Sequence, residues 1–221
     1  LLRNASGLVS LSREISEKLD NRKFGKHQRI IANGIDLRSY APLIRPQNSH
    51  PVITLVGSPG MVWHGVDKLV KLAEKCPDLI VNIVGYKSLD LGNHLPPNLH
   101  LHGFLDRKAV ADVLMMSDVA CGSLALHRNG MQEASPLKVR EALAYGIPII
   151  LGYRDTDLSE IENDCILQLP NTEDNVEMHV EKIRAFSYKM MGKRIEREEI
   201  AKYIDQRQKE ITRLAFFEEF A

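Results

Sequence analysis

The sequence has little that would tie it to a membrane, an oxidising compartment or a polyanion. Its three cysteines, Cys76, Cys121 and Cys165, are odd in number and scattered. That excludes a disulfide framework and points to a reducing compartment, the cytoplasm. No apolar run approaches the roughly 20 residues of a membrane-spanning helix. Lys+Arg and Asp+Glu are both 29, so no net field attracts nucleic acid or anionic lipid. The one basic run, residues 189–197, reads as a solvated helix face. The amino end carries neither an initiator Met nor a signal-peptide pattern. It opens into a strand-like stretch, as expected for a piece of a longer protein.

What is present is an alternation of apolar runs and helical periods. Residues 7–11 (GLVSL) read as a strand, Ser12 as the cap of a helix over 13–19, and residues 29–32 as a strand closed by an Asn33-Gly34 turn. Residues 37–51 are rich in Pro, Asn and Ser and read as a linker. Then VITLV (52–56), LIVNIV (79–84), residues 99–102, 118–121 and 147–151 alternate with amphipathic stretches, one of them capped by Asp106. This is an α/β pattern: a parallel sheet with helices on both faces, whose ligands sit at the carboxyl ends of the strands. Gly57, Gly85, Gly103 and Gly122 each follow a strand, either to supply positive φ or to let backbone approach a ligand. From residue 171 onward the pattern is helical, with an apolar stripe through Ile200, Tyr203, Ile204, Ile211 and Leu214. The tail is expected to pack back across the molecule.

The stretch MQEASPLKVREALAYGIPII (131–150) carries the most chemistry. Ser135 reads as an N-cap with Pro136 at the first helical position, and Gly146 followed by Pro148 as the stop. The open end of such a helix attracts anions. At about 1.5 Å per residue, Glu141 would lie roughly 7–8 Å along the axis from that end, where a ribose attached to a bound diphosphate would reach. Glu133, on the preceding loop, would flank the phosphates on the other side. One acid for each ring suits a nucleotide sugar.

Glu133 and Glu141, seven residues apart, with REALAYGIPII overlapping and following, resemble the Glu-x7-Glu motif of retaining GT-B glycosyltransferases of family four, the group 1 glycosyl transferases. IANGIDLRSYAP resembles that family's interdomain segment. LVGSPGMVWHGVDKLVKLA, VNIVG and LHLHGFLDRKAVADVLMMSDVAC resemble the successive units of its Rossmann-like donor domain, in order over residues 5–155. The resemblance implies that residues 1–45 are the end of an amino-terminal domain plus linker, 46–170 the nucleotide-sugar-binding domain, and 171–221 helices that cross back. It implies Glu133, the catalytic residue, at the transferred sugar or its departing bond, and Glu141 at the ribose. Backbone of Ser135, Leu137 and Lys138 would hold the diphosphate, Phe104 and Leu105 would meet the base, and Gly57, Ser58, Gly60, His64 and Gly85 would line the donor rim. The implied donor is a UDP- or GDP-sugar, with no metal required. The implied acceptor is a glycan or lipid-linked sugar reached through the amino-terminal domain, with peripheral membrane association of the full protein and no nucleic-acid partner.

One departure stands out. Family members often carry an Arg after the first rim glycine and a Lys before the helix. Here Ser58 and His64 occupy those places, and His64 could help only when protonated. Lys138, His127 and Arg128 are the other nearby cations, the last two expected on a surface loop. Trp63 either walls the cleft or packs beneath its loop. His100 and His102 share a strand face without a third ligand, so strand packing is expected there rather than a metal.

Overall fold

The computed structural model describes residues 5–20, 27–89 and 95–220. At the amino end, β1 (Leu8–Ser10) leads into α1 (Arg13–Asp20) and pairs in parallel with β2 (Gln28–Ile30). Ser12 Oγ accepts the Ile15 N–H at 3.2 Å, the expected cap. Asn33-Gly34 is not a turn. Ile35 instead bridges in parallel to Asp205, and Asn33 is drawn onto Ser135: its backbone N–H donates to Ser135 Oγ at 2.8 Å and its Nδ2 to Ser135 O at 2.6 Å.

The body of the chain is β3 (Val52–Val56), α2 (Val66–Lys75), β4 (Ile80–Val84), β5 (Leu99–Gly103), α3 (Arg107–Met115), β6 (Val119–Cys121), β7 (Glu133–Ala134), α4 (Leu137–Ala144), β8 (Ile149–Leu151), β9 (Arg154–Asp155) and β10 (Ile166–Gln168). Six of these strands form one parallel sheet in the order β10-β8-β6-β3-β4-β5, while β7 pairs with β9 as a separate parallel ribbon. Strand alternation decides the faces. Ile53, Leu55, Val81, Ile83, Val119 and Ile150 point into a core with α2 and α5 (Val180–Met190). Ile149 and Leu151 point the other way, to α4 and α6 (Arg197–Ile204), and Ala120 meets α3 and α4 there. Both faces are therefore covered, which is why the strands read as unbroken apolar runs. The sixth strand, β10, is not evident from the sequence: it is three residues long and ends in an exposed glutamine.

The basic run 189–197 is not simply a solvated face. Arg194 donates to the carbonyls of Met115 and Ser117, at 3.0 Å each, and caps the end of α3. Arg197 donates to Leu37 O at 3.2 Å and to Tyr40 O, binding the linker to α6. Buried carbonyls at the ends of elements need donors, and these arginines supply them. The last helix, α7 (Gln206–Glu218), buries Phe216 towards β2, where Arg29 lies 5.5 Å from its ring. No helix among the described residues is long and apolar enough to cross a membrane.

Candidate functional site

The strand order reverses at β3: the chain proceeds to β4 and β5 on one side, then returns to β6, β8 and β10 on the other. The crevice outside the carboxyl ends of β3 and β6 is therefore the switch point where such sheets take ligands. The amino end of α4 lies there.

That end differs in detail from the sequence expectation. Pro136 is the N-cap, extended at φ −76 and ψ 141, and no side chain caps the helix. Ser135 cannot cap because its hydroxyl and carbonyl are engaged by Asn33. The first helical residue is Leu137, so Glu141 lies about 6 Å along the axis, one residue closer than expected. The backbone N–H groups of Leu137 and Lys138 have no acceptor among the described residues, and Leu137 is more than half exposed. Gly146, at φ +78, terminates the helix as expected.

The two glutamates meet opposite surroundings. Glu133, on β7, is only 1% exposed; its carboxylate accepts the Glu14 N–H at 3.4 Å at the start of α1 and lies 3.6 Å from Arg154. Glu14 returns the contact, accepting the N–H groups of Gln132 and Glu133 at 2.8 and 3.1 Å. Glu141 is half-buried beside a cleft of about 310 Å³ that Tyr40, Arg107 and Leu137 also line. Burial raises its pKa above the usual carboxylate range, opposed by the Arg107 charge and a hydrogen bond from Tyr40. The Arg107 guanidinium stacks on the Tyr40 ring at 5.0 Å.

The cations sort sharply. His64 is buried, and burial, with the Lys138 charge, holds its pKa at about 4. It is therefore neutral near pH 7 and does not replace the missing lysine. It positions backbone instead: Nδ1 accepts the Ser58 N–H at 3.3 Å, while Tyr86 donates its hydroxyl to Ser58 O at 2.6 Å. Arg128 forms an ion-paired fork with Asp67 and Glu173, and His127 also bonds Glu173, at 2.8 Å. Their charges are spent within the loop. Lys68 is buried with three acceptors, Leu124 O, Thr172 O and Asn175 Oδ1. Lys138 is different. Its ammonium reaches under the helix to the switch point and donates to Val56 O at 3.1 Å, the one acceptor it has among the described residues. Burial lowers its pKa to about 8.

The rim glycines are required chiefly by neighbouring protein. A Cβ at Gly57 would lie 2.6 Å from His64 Nδ1, and one at Gly85, where φ is +100, would meet Gly57 O at 1.9 Å. Gly60, also at positive φ, has open space around it. Phe104 stands 86% exposed beyond β5 with Leu105 partly covered, and Gly103 supplies the turn before them. Trp63 packs partly buried against a core cluster. His102 bonds Asn82 at 2.9 Å, and no metal-binding cluster occurs among the described residues.

The sequence reading overlooked Arg140. It is fully buried in the middle of α4 and pairs with both oxygens of Asp155 and with Asp157 at 3.0 Å, while its Nε donates to Asn33 O at 3.1 Å. This fork fastens the Asn33 segment, β9 and α4 together beneath the open helix end. A helix-interior arginine gives no local sign of such partners.

Solved structures share this fold. A sucrose-phosphate synthase from Thermosynechococcus elongatus is 17% identical with a TM-score of 0.69, covering 99% of this chain and 59% of its own. The apo form of the lipopolysaccharide outer core galactosyltransferase WaaB is 14% identical with a TM-score of 0.72, covering 98% and 63%. Anabaena HepE in complex with UDP and glucose is 14% identical with a TM-score of 0.62, covering 96% and 63%. The chain thus spans about three fifths of the length of each. No curated protein matches the sequence. The architecture is that of GT-B carboxy-terminal domains. The family model for glycosyl transferases group 1 matches residues 48–206, most of the chain, and the protein belongs to that family.

Proposed function

We propose that this chain is the donor-binding half of a retaining GT-B glycosyltransferase that moves a sugar from a nucleoside diphosphate to a glycan or lipid-linked acceptor. In this reading residues 46–170 bind the donor, residues 1–45 belong to the end of the acceptor domain and its linker, and residues 171–221 cross back. The observation that carries it is the uncapped start of α4 at the switch point, where two N–H groups have no acceptor and an ammonium has one among the described residues, with Glu133 and Glu141 four residues before and after Leu137. Helix-end amides and a desolvated cation stabilise a diphosphate, and more so the charge that develops as it departs. Glu141, now hydrogen-bonded by Tyr40, exchanges that partner for the ribose hydroxyls. Glu133 serves the transferred sugar once α1 moves off it. Lys138 takes the part of the absent Arg and Lys. HepE's complex with UDP supports UDP as the first donor nucleotide to try.

Calorimetric titration with UDP, GDP and ADP, repeated on Glu141→Ala, tests the reading. Heat with at least one nucleotide, lost in the variant, supports it; binding indifferent to Glu141→Ala removes the ribose assignment. The chain by itself should not transfer sugar, and robust transfer by it would refute the division of labour. The 1% exposure of Glu133 favours one other reading, a nucleotide-binding partner module without transfer. Donor turnover by the longer protein, abolished by Glu133→Gln, excludes that reading.

A further inference from the structure

The rim has a second opening, beside Glu133. The carboxyl end of β8 continues into Tyr153 and Arg154, and that of β10 into Leu169, Pro170 and Asn171. Between these two ends lies a groove of about 500 Å³, within the range of small-ligand sites, about 300–1,000 Å³. Its lining is amide-rich: Gln132, Gln168 and Asn171 face it together with Arg154 and Ser159.

Some of these groups are fully used in holding the groove's shape. Asn171 donates to Met131 O and Gln132 Oε1 at 2.9 Å each and accepts the His127 N–H at 3.0 Å. Gln168 donates to Tyr153 O at 2.6 Å and Leu169 O at 3.1 Å. Others are left over. Gln168 Oε1 has no donor and Gln132 Nε2 no acceptor among the described residues. Arg154, its side chain 60% exposed, has among the described residues only the 3.6 Å approach to Glu133 for its five N–H donors. Planar amides and a guanidinium, presenting donors and an acceptor together, match the vicinal hydroxyls of a sugar. Leu169 and Pro170 also line the groove, so apolar surface lies beside these groups, as the face of a sugar ring requires.

Contacts give the groove its place in the reaction. Arg154, on its wall, lies 3.6 Å from the Glu133 carboxylate, and Gln132, the residue before Glu133, lines it too. We propose that the groove between the ends of β8 and β10 is a saccharide-binding subsite that holds the acceptor glycan next to Glu133, with Arg154 joining the two. Its assignment to the acceptor rests on the donor reading above; its chemistry does not. Arg154 is a binding and positioning residue here, since it touches the saccharide and the Glu133 carboxylate.

The test is an array of immobilised oligosaccharides probed with the 221-residue chain, its Arg154→Ala and Arg154→Lys variants, and Glu141→Ala, with a UDP titration and a thermal midpoint on each. Arg154 is exposed and makes one long contact, so both variants should keep the wild-type midpoint. The expected result is a set of saccharides retained by the wild type, about ten-fold weaker retention by Arg154→Ala, partial recovery in Arg154→Lys, and none of these changes in Glu141→Ala. UDP binding should be unaltered in the Arg154 variants. An array that retains nothing, or retention indifferent to Arg154→Ala, overturns the subsite. Saccharide retention of the expected kind with no heat from UDP keeps the groove and removes the donor reading instead.

Discussion

The stretch from Met131 to Ala144 has two flanks, and they are built on different principles. Around Glu133 everything is tied inward: β7 pairs with β9, α1 covers the carboxylate, and the Arg140 fork holds Asp155 at the end of the same ribbon. Around Glu141 the surface opens. Its partners are a tyrosine hydroxyl and a neighbouring guanidinium, both beside a cleft, and the adjacent N–H groups have no acceptor among the described residues. Rigid scaffolding thus stands on one side of the helix start and replaceable polar contacts on the other. A site that must take up and release an anion needs both, because preorganised donors lower the cost of binding and weak resident contacts are easily exchanged.

Four substitutions or titrations sharpen this contrast, and the largest effect belongs to the rigid flank. Arg140→Met leaves Asp155 buried without its partner and should destabilise the chain by about 3–5 kcal/mol, read as a shift of the urea midpoint at constant slope. A loss under about 1 kcal/mol would mean that the fork is not what holds the ribbon. Next is the acid response of His64. Its pKa of about 4 lies below the unfolded value of 6.5, so the unfolded chain takes up the proton first. Stability should fall as pH drops from 6.5 to 4, by on the order of 3 kcal/mol from this group. His64→Gln should flatten that part of the profile, as seen by denaturation at several pH values.

The open flank responds in binding rather than in stability. Glu141→Ala should weaken UDP by roughly 10–100-fold, the worth of about 1.5–3 kcal/mol for hydrogen bonds to a charged group, while the unfolding midpoint stays put. Smallest is Lys138→Met, about ten-fold in UDP affinity. Its sign with pH is fixed: the ammonium is present below about 8 and lost above it. Wild-type affinity should therefore decline between pH 7 and 9 and the variant's should not. Equal pH profiles would remove Lys138 from the phosphate site.

Much of the scaffold was legible because its signals are local. Val52–Val56 and Ile80–Val84 are apolar runs ended by glycine, Asp106 caps α3 through the Ala109 N–H, and Gly146 ends α4 at positive φ. The candidate site was legible in outline, since the spacing of Glu133 and Glu141 already framed the start of α4. What escaped was set by partners distant in sequence. Ser135 has the chemistry of a cap, yet Asn33, 102 positions away, takes its hydroxyl. Arg140 looks like any helix-face arginine until Asp155 and Asp157 fold beneath it. For Lys138 the sequence leaves open an exposed helix face or the phosphate site, and its contact with Val56 O, 82 positions away, decides where the ammonium sits. The brevity of β10 hid it, because three residues carry too little alternation to separate a strand from a loop.

The most direct measurement is a crystal of this chain grown with UDP. The account predicts the diphosphate within hydrogen-bond distance of the Leu137 and Lys138 N–H groups and the Lys138 ammonium, with the ribose on Glu141. A nucleotide bound elsewhere on the sheet, with the start of α4 left empty, would contradict it.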